Sequence, residues 1–223
     1  DFIYNCQQGG HQRSWRNWDY GKNAIVKIVE MGYTIVLVGK KDDPYIKEEP
    51  QHIQNILKHK NVILTKFLPQ KEFFKYLYET HALFLPNILD ASPRIIPQAL
   101  LQNTHIFINK DIFGGWKYIS PKTGMFLDTN LDFKKQVNIL INKRNTFKPR
   151  EWFLNNYNLN DTTNKFKNFI ENIPKQLFSK NENTIKYVYL PNDLNYDNID
   201  NSWLSIGKLT KKKPSEPYII ILD

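Results

Sequence analysis

Short runs of apolar residues recur along the first half of the chain, each four or five long and each followed by a polar stretch: Phe2 to Cys6, Thr34 to Val38, Val62 to Thr65, Ala82 to Leu85 and His105 to Ile108. Runs of that length without polar alternation read as strands buried on both faces. Between them the apolar spacing changes to a helical period, at Tyr20 to Met31, Gln51 to His59, Gln70 to Thr80, Ser92 to Gln102 and Gly115 to Ile119. Alternation of strand and helix predicts right-handed crossover units around a five-stranded parallel sheet, with helices on both faces. A turn is expected at Thr123-Gly124, followed by helices alone at Leu131 to Asn142, Arg150 to Asn156 and Thr162 to Ile173, which would cover the sheet.

The fold class is therefore α/β, a Rossmann-like domain over residues 1–175. Residues 176–223 form a C-terminal extension with β-like runs at Ile185 to Leu190 and Tyr218 to Leu222, either a hairpin or the start of another domain. At 223 residues the chain suits one main domain. It opens at Asp1 without a signal-peptide pattern, as a fragment of something longer would, and no apolar run is long enough to span a bilayer; the expected location is cytoplasmic.

Composition narrows the chemistry. The single cysteine, Cys6, excludes an internal disulfide and is expected to be a buried thiol. Five histidines without metal-ligand spacing predict no metal site. A formal charge of +9 invites an anionic ligand, yet the cations are dispersed and the one dense run, Lys211 to Lys213, sits beside Pro214 as a linker would. Nucleic acid is thus an unlikely partner, and an RNA- or polyanion-binding role, suggested by charge alone, is the third alternative.

In an open parallel sheet the ligand lies beyond the carboxyl ends of the strands. The loop after the first strand carries Arg13, Arg16 and Lys22 beside Gly9 and Gly10, which suits a diphosphate. There is no G-x-G-x-x-G, and the second strand ends in Gly39-Lys40-Lys41 where a ribose-binding acid would stand, which disfavours NAD; there is no P-loop, which excludes kinase or ATPase chemistry of that type. Asp42-Asp43 reads as a turn. Trp15, Trp18 and Tyr20 are expected to pack the loop onto its own domain. After the fourth strand come Asp90, then Ser92 at an N-cap position with Pro93 at the first helical position, then Gln98 two turns along the same side. Asp90 and Gln98 should face one crevice.

The segment Leu83 to Leu101 resembles the retaining group-one (family four) GT-B glycosyltransferases, whose signature is an acid, seven residues, then Glu. Val36-Leu37-Val38-Gly39, Asn61 to Leu68, Phe107 to Gly115 and Thr123 to Leu127 resemble further segments of the same family's C-terminal donor-binding domain, over roughly residues 2–175. The resemblance implies a nucleoside-diphosphate sugar as donor substrate and no separate cofactor. It implies Lys22, with Arg13 or Arg16, on the diphosphate, and the Phe67 segment at the nucleobase. It further implies Gly114 and Gly115 at the sugar, Asp90 orienting sugar hydroxyls, and Ser92, Arg94 and the amides after Asp90 assisting the departing diphosphate. Gln98 stands where the family has Glu and would meet the ribose; Asp90 stands where Glu is usual. The family's acceptor, glycan or protein, is held by an N-terminal GT-B domain for which this chain has no room. A non-catalytic nucleotide-sugar-binding or scaffold module is the alternative.

Overall fold

The computed structural model describes residues 1–6, 10–90 and 93–172, and two compact units divide the chain, Asp1–Asn158 and Leu159–Asp223. In the first unit six parallel strands, β1 (Phe2–Asn5), β2 (Ile35–Val38), β3 (Val62–Leu64), β4 (Ala82–Leu85), β5 (His105–Asn109) and β6 (Gly124–Leu127), lie in the order β3-β2-β1-β4-β5-β6. The helices are α1 (Gly10–Trp15), α2 (Trp18–Glu30), α3 (Gln51–Leu57), α4 (Gln70–Glu79), α5 (Ile95–Leu101), α6 (Phe133–Lys143) and α7 (Pro149–Asn156). In the second unit the described element is α8 (Leu159–Asn172). The β-like runs expected at 185–190 and 218–222 lie outside the described residues.

Period-two alternation sends successive strand residues to opposite faces, and both faces are dry. Phe2, Tyr4, Cys6, Leu37, Phe84 and Phe107 pack with Trp18, Ile25 and Ile28 of α2, Ile53 and Leu57 of α3, and Phe133 and Val137 of α6. Ile3, Val36, Leu83, Leu85 and Ile106 pack with Leu77 of α4 and Ile96 and Leu100 of α5, against which Trp152 and Phe153 of α7 also rest. Cys6 is buried, and burial pushes its thiol up to about 12.

Four departures from the sequence reading stand out. The sheet has a sixth strand: the residues read as a turn at Thr123-Gly124 begin β6, which pairs in parallel with Ile106 to Asn109. Gly124 makes this possible, since at φ 155° its missing Cβ would lie 2.0 Å from the carbonyl oxygen of Ile106. Second, the cationic loop after β1 contains a helix, α1. Third, α5 starts at Ile95 rather than at Pro93, with Arg94 as its N-cap and no side-chain cap bond, and Ser92 lies outside the described residues. The expected helix at Gly115 to Ile119 is a single 3-10 turn, Trp116–Tyr118.

Candidate donor site

The strand order reverses direction between β1 and β4, which places a crevice there. The two strands pair only at Phe2 with Ala82 and Ile3 with Leu83, whereas β1 pairs with β2 along all four of its residues. Beyond Ile3 they part. The opening is a cleft of about 420 Å³ at the carboxyl edge, floored by Asn5 and Val38 and walled by Phe67, Gln70 and Phe73 on one side and Asp90, Arg94 and Gln98 on the other.

Arg16 enters this cleft because its backbone is fixed on three sides. The Tyr4 hydroxyl donates to the Arg16 carbonyl at 2.6 Å from beneath. The Trp15 carbonyl accepts from the Ile88 N–H at 2.9 Å, and Asn17, in the left-handed conformation at φ 54°, donates its side-chain amide to the Pro86 carbonyl at 3.1 Å. The loop after β1 is thereby stitched to the loop after β4. Across the stitch, Arg16 Nη1 donates to Asp90 Oδ2 at 2.8 Å, and both side chains are less than one-fifth exposed. Asn87, fully buried, approaches the same carboxylate oxygen at 3.5 Å. Arg16 Nε, Asn5 Oδ1 and Asn87 Oδ1 are buried polar atoms with no hydrogen-bond partner among the described residues.

Of the residues named from sequence, Arg16, Phe67, Asp90, Arg94 and Gln98 line the cleft. Arg13 and Lys22 do not. Both are held by Glu49, whose carboxylate accepts from Arg13 at 2.5 Å, from the Trp18 indole N–H at 2.7 Å and from Lys22 at 3.2 Å. Lys22 also pairs with Asp19 at 2.7 Å. Burial alone would push the Glu49 carboxyl up; the Trp18 N–H, Lys22 and Arg13 outweigh it and hold it below its ordinary value. Gly114 and Gly115 follow β5 with φ 103° and 76°, outside the cleft lining. Gly115 instead lets the start of α5 approach, since a Cβ there would lie 2.6 Å from Pro93 Cγ.

Trp18 is buried as the sequence suggested, with Lys40 over its ring at 3.6 Å. Asp43 pairs with Lys40 and caps the 3-10 turn Pro44–Glu48 through the Tyr45 N–H at 3.0 Å, consistent with the turn expected there. Glu49 was not singled out from sequence, because Lys47-Glu48-Glu49-Pro50 looks like an ordinary charged turn. Asn5 and Asn87 did carry a signal: each is the first polar side chain after a buried apolar run. Among the described residues no three His, Cys, Asp or Glu side chains gather as metal ligands would, and no helix is long and apolar enough to cross a membrane.

No protein-family model matches this chain, and no curated protein matches it by sequence. Solved structures do match. A glycosyltransferase from Rickettsia africae superposes with a TM-score of 0.58 at 14% identity, over 77% of this chain and 48% of that one. HepE of Anabaena, in complex with UDP, gives 0.58 at 12% identity, over 77% and 49%. The C-terminal domain of LpcC, a group 1 glycosyltransferase from Francisella tularensis, gives 0.55 at 13% identity, over 71% and 86%. The fold is that of one Rossmann-like half of a GT-B glycosyltransferase. More particularly, the chain spans about half the length of the first and second of these enzymes, and it covers most of a structure that is itself a group 1 C-terminal domain.

Proposed function

We propose that the cleft binds a nucleoside-diphosphate sugar and that this chain is the donor-binding half of a glycosyltransferase. The observation that carries the reading is the cleft's lining: two arginines, Arg16 and Arg94, and one acid, Asp90, with the exposed Phe67 ring at the far wall, at the point where the strand order reverses. Guanidinium groups bind phosphate oxygens in pairs and stabilise the charge that develops on a departing diphosphate. Phe67, 73% exposed, offers a face for a base. Asp90 is suited to a sugar hydroxyl and Gln98 to a ribose hydroxyl, which an amide can meet as donor or acceptor. HepE has been solved with UDP and with UDP-glucose, which supports a uracil nucleotide as the first ligand to try.

Catalysis needs an acceptor, glycan or protein, and the reading assigns it to an N-terminal GT-B domain outside this chain; the family resemblance suggests retention at the anomeric carbon. The arginines supply the charge that a divalent ion would otherwise bring to the diphosphate. The amide at Gln98 in place of a carboxylate favours one second reading, a nucleotide-sugar-binding module without turnover; hydrolysis of UDP-glucose by the full-length protein separates the two.

Calorimetry with UDP and GDP, with and without EDTA, tests the site. Binding is expected in both conditions. Arg16→Ala should remove a charge-assisted phosphate contact of about 1.5 to 3 kcal/mol, roughly a ten- to hundredfold loss. Lys22→Ala should leave nucleotide affinity within about twofold, since its ammonium belongs to Glu49 and Asp19. Silence from every nucleotide would remove the donor-site reading.

A further inference from the structure

Arg16 has two claimants. Its guanidinium meets Asp90 through a single nitrogen, Nη1, at 2.8 Å, while Nε is buried and has no partner among the described residues. A guanidinium held at one point with a second donor unsatisfied is poorly served, because its planar fork is built for two acceptors at once and a buried unmet N–H costs free energy. A diphosphate offers two oxygens and more charge than the carboxylate. Asp90 in turn is the only acid lining the cleft among the described residues, so its charge opposes an anionic ligand there.

We propose that Asp90 is a specificity-determining residue that works by exchange: a diphosphate takes the Arg16 guanidinium, and the released carboxylate accepts a hydroxyl of the sugar. Asp90 therefore counts against the bare nucleoside diphosphate and in favour of the intact nucleotide sugar, and the protein prefers donor over the product that would inhibit it. The fixed backbone supports this. Tyr4 and Asn17 hold Arg16 in place from both sides, so only its side chain need turn. Asn87 remains beside the carboxylate as a neutral neighbour when the guanidinium leaves.

The inference rests on the donor-site reading, and the experiment keeps their failures apart. Wild type, Asp90→Asn, Arg16→Gln and the double variant are titrated calorimetrically with UDP and with UDP-glucose, after melting curves confirm folding. The isosteric Asp90→Asn should bind UDP more tightly than wild type by about two- to fivefold, the worth of one partly exposed ion pair. It should lose the preference for UDP-glucose over UDP. In the Arg16→Gln background the same change should gain little, because no pair remains to be broken. If Asp90→Asn weakens UDP binding or leaves it unchanged, Asp90 serves to position Arg16 and the exchange is wrong. An equal gain in the Arg16→Gln background overturns it also, as plain charge repulsion would suffice. If wild type binds neither ligand, the donor-site reading falls first, and the exchange with it.

Discussion

Replacing Glu49 by alanine should be among the most damaging single changes in this domain, although the residue lies outside the cleft. Glu49 is 4% exposed and joins the segment before α3 to α1 through Arg13 and to α2 through Trp18 and Lys22. Its loss leaves the Trp18 indole N–H, on a residue 2% exposed, without an acceptor, which costs about 1 to 3 kcal/mol. Arg13 and Lys22 are more accessible, with side chains 31% and 17% exposed, and can turn towards water, so each lost pair adds only about 0.5 to 1 kcal/mol. The sum, about 2 to 5 kcal/mol, is a large share of the 5 to 15 kcal/mol typical of a domain and should lower the melting temperature by roughly 5 to 15 °C. Glu49→Gln keeps an oxygen for Trp18 and should cost about half as much. The two variants also separate with pH. Because the folded carboxyl lies below its ordinary value near 4.5, its contribution is fully present above that value and is lost as pH falls through the lowered folded one. The gap in melting temperature between wild type and Glu49→Gln should thus be level from about pH 5 to 8 and narrow below about 4.5. Differential scanning calorimetry across that range checks both points. An alanine variant melting within about 2 °C of wild type, or a gap that does not narrow in acid, would show that the carboxylate is no hub.

Two further outcomes follow from close approaches and from exposure. Gly124→Ala would set a Cβ 2.0 Å from the Ile106 carbonyl oxygen and 2.7 Å from its nitrogen, so β6 should detach at a cost above about 3 kcal/mol; Gly32→Ala, with open space around it and φ 84°, should cost only about 1 to 2 kcal/mol, and chemical denaturation of the pair compares them. Phe67→Ala should lower UDP affinity by about 1 to 3 kcal/mol if the ring stacks on the base, with pyrophosphate affinity unchanged in the same calorimeter; an equal loss for both ligands would count against stacking.

Five of the six strands are legible because each is a short apolar run ended by Gly, Pro or a polar residue, and the expected bounds lie within a residue of the observed ones. The sixth is not legible for a reason that lies in three dimensions: Gly124 looks like a turn residue, but it lets β6 close against the backbone of Ile106. The start of α5 at Ile95, two residues past the expected Pro93, has a cause in the sequence itself. Pro97 has no N–H and is tolerated only in the first turn of a helix, so a helix running from Pro93 would bury it too deep; starting at Ile95 makes Pro97 the third residue. α1 offered no apolar period at all, its sequence being Gly-His-Gln-Arg-Ser-Trp.

The cleft was legible as a place before it was legible as a set of charges. Residues that follow a strand's carboxyl end are brought together by topology alone, which is why Arg16, Phe67, Asp90 and Gln98 converge. Which cation of the first loop faces the cleft depends instead on Glu49, 36 residues from Arg13 and 27 from Lys22, and nothing local in the sequence announces such a pairing. Counting charge along the loop overstates what a diphosphate would meet. Arg13 and Lys22 are compensated by Glu49 and Asp19, and Arg16 is shared with Asp90. Arg94, exposed on the same wall as Asp90, has no acidic partner among the described residues. An incoming diphosphate should therefore engage Arg94 first and draw Arg16 away from Asp90 second, so that loss of Arg94 slows association while loss of Arg16 speeds release.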